Sequence, residues 1–435
     1  MAHVWRNWAR DQHCAPAAID EPCSEQEVVE ALTRAAASGL RVRVAGAGHS
    51  FTDIACTDGV MLRLGRLGSV IDADPDTGLA TVGAGISLHE LGPALAERGL
   101  AMENLGDVDK QSLGGALATG THGTGARFAN LSSQVARLRL VTAAGEVVEC
   151  SADEDPDLFR AARVGLGAVG VLTAVTLRCL PAHTLRRVDE LRPLGETLDR
   201  LEEHAERHEH FEFFAFPYTD IALTRTTERT EAEPAPPPPL RAWLQDVLIE
   251  NGVLDLFCRA GKIAPGLVPR INRALTGLVT GGERTDRSYA IFANPRLVRF
   301  TEMEYAIPRV ALAEAVRRVF ELVERRRLPV GFPIEVRIVA PDDAFLSPAA
   351  GRDTGYVAVH MYRGTEFESY FRGVEAIMRE CEGRPHWGKR HYRTAADLAP
   401  LYPDWDRFQA VRARVDPHGL FRNDYTDRVL GPVSP

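Results

Sequence analysis

Three glycine-bearing stretches and a handful of charged residues hold the chemistry of this 435-residue chain. In VAGAGHSFTDIACTDGVMLRL (44–64), Gly46 and Gly48 follow an apolar run that reads as a strand. A turn placed there can aim backbone N–H groups at a phosphate. It is not a GxGxxG fingerprint, because His49 stands where helix entry is expected. The second stretch, NLGDVDKQSLGGALATGTHGTG (104–125), interleaves Gly106, Gly114, Gly115, Gly120, Gly123 and Gly125 with Ser112, Thr119, Thr121 and Thr124. So little side-chain bulk lets backbone lie against a flat ligand, with hydroxyls near its polar edge. In RVGLGAVGVLTAVTLRCL (163–180), glycines precede a β-branched run, which reads as a ligand-contacting loop followed by a buried strand.

The second half offers charges in apolar surroundings. Glu335 and Arg337, in IEVRIV, are two residues apart and share one face of a strand. Buried charges are costly unless paired, so these are either a plain salt bridge or a pair facing a ligand. Lys389 follows His386-Trp387-Gly388, and His360 sits in VAVHMY, as a ligand contact or a satisfied strand histidine. A lone lysine is ordinarily a solvated surface group. His204, His208 and His210 alternate with Glu203, Glu206 and Glu209 and read as a solvated helix end, not a metal site. No HExxH, Walker loop or GxSxG occurs.

These groups need a scaffold. With 45% hydrophobic and 26% charged residues, the chain suits a globular protein of two domains. A net charge of −9 disfavours nucleic acid as a partner. Seven cysteines without a CxxC pair suggest reduced thiols and a cytoplasmic protein. MAHVWRNWARDQHC has no apolar leader, and no 18-residue apolar run exists, so neither a signal peptide nor a membrane span is expected. A capping box at Ser24 and Glu27 opens a helix that ends at Gly39. Strands follow at 41–46, 60–64 and 79–85, a helix over 88–99, and a hairpin around Ala144-Gly145. Beyond residue 185 the pattern predicts a helix over 195–208, a half-buried strand over 210–218, an exposed proline-rich loop or hinge over 231–240, and a helix over 311–327. Strands at 334–340 and 356–362 and a helix near 366–381 complete an α+β pattern.

Jointly, AGAGHSFTDIACTDG, ATGTHGTG, LGAVGVLTAVTL, RPHWGK (384–389) and DPHGLFRNDYTDRVLG (416–431) resemble flavoproteins of the vanillyl-alcohol-oxidase type. Within that group the chain is similar to the sugar-1,4-lactone oxidases: L-gulonolactone, D-arabinono-lactone and alditol oxidases. The likeness spans essentially the whole chain and is weakest over 225–285. It implies a two-domain α+β fold: an FAD-binding domain over 1–185, a substrate-capping domain over 186–400, and a segment over 401–435 returning to the first. It implies that FAD is held by Ala45, Gly46, Ala47, Gly48, His49, Ser50, Gly106, Ser112, Gly115, Thr119, Gly120, Thr121, His122, Gly123, Gly170, Val171 and Asn423, with a covalent bond through His49.

Flavin oxidation of an alcohol requires loss of the hydroxyl proton, hydride transfer to the ring, and a cation to stabilise the charge gained. The resemblance assigns catalysis to Lys389, Glu335 and Arg337, without deciding the base, and substrate contact to Asp107 and His360. Alditol oxidases carry serine where Asp107 aligns. Gly106, with no methyl group, would leave dioxygen a path to the flavin. The expected reaction is oxidation of an aldono-1,4-lactone with dioxygen, giving hydrogen peroxide. Alternatives are oxidation of a linear polyol such as xylitol, a dehydrogenase using another acceptor, and a flavin carrier without turnover.

Overall fold

The computed structural model describes residues 4–238 and 251–433. In the first half a small parallel sheet runs in the order Ala18–Asp20, Val60–Leu62, Val42–Val44. Helix Glu25–Ala37 lays Val28, Ala31 and Leu32 on it. Ser24 caps this helix by accepting from the Glu27 N–H, but the Glu27 carboxylate bonds the Cys23 N–H at 2.8 Å, so the expected reciprocal box is half made. A complete box stands at Ser87 and Glu90, opening helix Leu88–Ala96.

A five-stranded antiparallel sheet follows, in the order Val147–Ser151, Val135–Val141, Val171–Arg178, Leu79–Gly83, Val70–Asp74. The expected hairpin joins its first two strands, with Gly145 at φ +79. Its core also contains Leu398, Trp405, Phe408, Tyr425 and Val429, so the end of the chain packs among first-half residues.

The second half is organised by an eight-stranded antiparallel sheet. Its order is Gly282–Arg287, Thr184–Pro193, Ile221–Thr230, His210–Ala215, Ile334–Val339, Thr354–Tyr362, Phe300–Pro308, Arg384–Pro385. Period-two alternation sorts its central strands. One face carries Phe211, Phe213, Val336, Ile338, Val357, Val359, Met303 and Tyr305, covered by helices Leu312–Arg326 and Glu368–Glu380. The opposite face carries Glu212, Glu335, Arg337, Tyr356, His360, Glu302 and Glu304. Both faces are covered, so strand His210–Ala215 is wholly buried rather than half-buried.

The helix expected over 195–208 is two short helices, Leu194–Asp199 and Leu201–Arg207. The three histidines nearby are not a solvated helix end. His204 is buried and stacks on Phe211 at 4.6 Å, and His210 is buried on its strand and bonds the Thr124 carbonyl. Only His208 stays partly exposed, against Glu228. Residues 231–238 form no helix or strand; 239 and 240 of the proline-rich stretch lie outside the described residues. All seven cysteines are free. Among the described residues, no helix is long and apolar enough to cross a membrane.

Candidate active site

A cleft of about 420 Å³ crosses the first half. Its walls are backbone-rich: residues 43–50, Gly85, Gly114, Gly115 and the loop 165–170. Gly48 adopts φ +75, which brings its carbonyl to the Trp8 N–H at 2.7 Å. A Cβ on Gly46 would lie 2.3 Å from the Ser112 Oγ, so a side chain there would force that hydroxyl to move. Two buried side chains hold the loops together. Arg43 donates to the carbonyls of Ile54, Leu166, Gly167 and Phe421. Asn423 donates to those of Asp53, Ile54 and Cys56.

At His49, Ser50, Gln111 and Thr119 the cleft meets a second cavity of about 130 Å³, beneath the charged face of the large sheet. His49 borders both cavities and stacks on Trp8 at 5.5 Å. Burial, reinforced by Lys389, pulls its imidazole down to about 4, so the ring is neutral at ordinary pH.

The chamber gathers every residue expected in catalysis or substrate contact: Lys389, Glu335, Arg337, Asp107 and His360 all line it. Arg337 lies 2.6 Å from Glu335, 2.8 Å from Glu212 and 3.6 Å from Asp107. Arg296 pairs with Asp107 as well. The pair Glu335–Arg337 is thus both a salt bridge and a cavity wall. Burial pushes the Asp107 carboxyl up, but Arg296 and Arg337 outweigh it and hold the group below the carboxylate range. Burial also raises Glu335, and here it prevails over Arg337, whose charge is shared among three carboxylates. Lys389 bonds Glu302, whose other oxygen lies 3.5 Å from His360. Burial would lower Lys389, but Glu302 and Glu304 raise it, so it stays cationic.

The other expected cofactor contacts divide. Ala45, Gly46, Ala47, Gly48, Ser50, Ser112, Gly115, Thr119 and Gly170 line the cleft. Gly106, Thr121 and His122 line the chamber instead. Gly123 borders a small neighbouring recess, and Gly120 turns against Pro348 and Val164. The Val171 side chain is fully buried in the core with Val141 and Phe421, and Asn423 serves the loops rather than the cleft surface.

Sequence reasoning missed Glu302, Glu304, Arg296, Glu212 and Arg43. Glu302 and Glu304, in FTEMEYAIP, obey the two-residue rule that singled out Glu335 and Arg337, and would have been found by it. His122, Glu304 and His386 offer metal-ligand atoms within 4.8 Å of one another. Hydrogen bonding uses up the lone pairs of the two histidines. His386 Nδ1 accepts from the Gly388 N–H, so its hydrogen is on Nε2. His122 Nδ1 faces the Gly123 carbonyl and its Nε2 faces Glu304. Neither ring presents a free lone pair to an ion.

Residues 16–151 match the family model described as FAD binding domain. Residues 175–429, more than half the chain, match the one described as D-arabinono-1,4-lactone oxidase. The chain belongs to that family. The D-arabinono-1,4-lactone oxidase family member is 56% identical to an L-gulono-1,4-lactone dehydrogenase of Mycobacterium tuberculosis, over 99% of this chain and 100% of the relative. It is 37% identical to the L-gulonolactone oxidase of Bos taurus, over 98% of both chains. A solved solvent-stable cholesterol oxidase superposes with TM-score 0.84 at 20% identity, covering 99% of this chain and 98% of the other, which shows a common fold. The protein is therefore an FAD-dependent oxidoreductase of vanillyl-alcohol-oxidase fold. The cleft fits that cofactor: its volume is in the range of ligand pockets, and its glycine-rich walls bring backbone to the cleft surface.

Proposed function

We propose that this enzyme oxidises a CH–OH group of an aldono-1,4-lactone of the L-gulono or D-arabinono type. The observation that carries the reading is one chamber, opening onto the dinucleotide cleft, with Lys389, Glu335 and Arg337 on its wall. FAD supplies the hydride acceptor. Its dinucleotide would be held by the backbone of 45–50 and by Ser112, Gly114, Gly115 and Gly170, with His49 attached to it. His49 suits that bond, being neutral and therefore nucleophilic.

Lys389 donates a hydrogen bond to substrate oxygen and keeps a fixed positive charge beside the reacting carbon. A Glu335 oxygen takes the hydroxyl proton, because its raised proton affinity suits a base better than the depressed Asp107 does. Arg337 orients Glu335. A 130 Å³ chamber lined by so many charges suits a small polyhydroxylated molecule, not a steroid.

Gly106 in the chamber wall favours dioxygen as the acceptor, with hydrogen peroxide as product. The name of the 56% identical relative favours a second reading, a dehydrogenase that passes electrons elsewhere. The test is anaerobic bleaching of the purified yellow protein with L-gulono-1,4-lactone, D-arabinono-1,4-lactone and xylitol, followed by admission of air. Lactone bleaching with rapid peroxide formation supports the oxidase. Lactone bleaching with slow recovery in air supports the dehydrogenase. Bleaching by xylitol alone overturns the lactone assignment.

A further inference from the structure

The chamber holds four carboxylates, and its cations are already committed to them. Arg296 pairs with Asp107, Arg337 with Glu335, Glu212 and Asp107, and Lys389 with Glu302. His122 is committed too. Its Nδ1 lies 2.9 Å from the Gly123 carbonyl, which can only accept, and its Nε2 lies 3.1 Å from Glu304 Oε1. Both ring nitrogens thus face oxygen atoms, and the ring stacks flat on Tyr356 at 3.6 Å. Glu304 Oε2 has no hydrogen bond within the described residues, although Glu304 lines the chamber. Glu302 stands two residues earlier on the same face of strand Phe300–Pro308.

We propose that Glu302 and Glu304 form a two-carboxylate grip for hydroxyl groups of a neutral polyhydroxylated substrate, with His122 positioning Glu304 as an acceptor. The inference rests on the lactone reading and specifies what that site accepts and refuses. Ionised carboxylates accept hydrogen bonds from hydroxyls and repel another anion. Among the described residues, no Lys or Arg lining the chamber is left unpaired for a substrate carboxylate. The grip therefore takes the closed lactone and refuses the aldonate formed when the lactone ring hydrolyses. The reaction that supplies this enzyme's substrate must accordingly be one that leaves the ring closed, or that closes it.

The test compares wild type, Glu304→Gln, Glu304→Asp and Glu302→Gln, all loaded with FAD. KM and kcat are measured with L-gulono-1,4-lactone and, separately, with L-gulonate. Loss of a hydrogen bond to a charged acceptor predicts a KM for the lactone about tenfold or more higher in Glu304→Gln. Little change in kcat, and partial recovery in Glu304→Asp, are expected. Wild type should use L-gulonate at least about a hundredfold less efficiently than the lactone, and Glu304→Gln should narrow that ratio. Nitrogen-15 NMR of the histidines should show the His122 Nε2 resonance move in Glu304→Gln, because its partner there is Glu304 Oε1. An unchanged KM, or equal use of lactone and aldonate by wild type, overturns the grip. If wild type oxidises neither ligand, the lactone reading fails by itself. Calorimetric binding of the two unreacted ligands to the same protein then decides the grip: preference for the lactone supports it and equal binding overturns it.

Discussion

Replacing Lys389 by methionine separates what this residue does for the fold from what it does for chemistry. Its Nζ is bonded to Glu302, a carboxylate buried on the inner face of the large sheet. Without that cation, Glu302 keeps His360 at 3.5 Å as a polar partner. Removing one partner of a buried pair costs about 3–5 kcal/mol, and the remaining histidine places this case near the low end, at about 3 kcal/mol. Losing a donor that acts where charge develops lowers turnover by a factor of about 10² to 10³. The single variant should keep its flavin absorbance, unfold at lower denaturant concentration, and bleach at least about a hundredfold more slowly with lactone in anaerobic stopped flow. The double variant Lys389→Met with Glu302→Gln removes the orphaned charge and should recover most of the stability but not the bleaching rate. A single variant that bleaches within about threefold of wild type would show that the cation does not serve the reaction. Recovery of the rate in the double variant would reduce Lys389 to a partner of Glu302.

Because burial raises Glu335, kcat/KM should fall as pH drops through that raised value, since only the deprotonated form takes a proton; a pH profile lacking this acid limb would exclude Glu335 as the base. Asp107 and Glu304 are depressed, so their stabilisation is complete above the ordinary carboxylate value of about 4 and is lost as pH falls through their folded values. Acid unfolding of Asp107→Asn should accordingly show a shallower pH dependence than wild type. After acid precipitation, colour should stay in the wild-type pellet and move to the supernatant for His49→Ala; a colourless wild-type pellet refutes the covalent bond. Gly46→Ala should lose most bound FAD because its new methyl meets the Ser112 Oγ, and adding Ser112→Ala should restore it, as read by the ratio of flavin to protein absorbance.

Local patterns carried much of this structure. The glycine spacing of 44–50 and 104–125 announced close backbone approach, and Gly46, Gly48, Gly114 and Gly115 line the cleft. The pair Glu335 and Arg337 was legible because charges at two-residue spacing within IEVRIV have no apolar explanation. What stayed hidden depends on tertiary meeting points. Arg43 looks like an exposed position of a short strand, yet it binds carbonyls contributed by residues as distant as Phe421. His122 belongs to a glycine-rich segment and reads as a cofactor neighbour. Only the register of strand Phe300–Pro308 brings Glu304 to it. The histidines at 204 and 210 were misread for the same reason: Phe211 and Thr124, which account for them, become neighbours only after the sheet forms.

The loops around the cleft are tied by residues far apart in the sequence, Trp8 at Gly48 and Asn423 at Asp53, Ile54 and Cys56. A proteolytic nick just ahead of Asn423 would therefore slacken those loops even though every glycine of the cradle is intact.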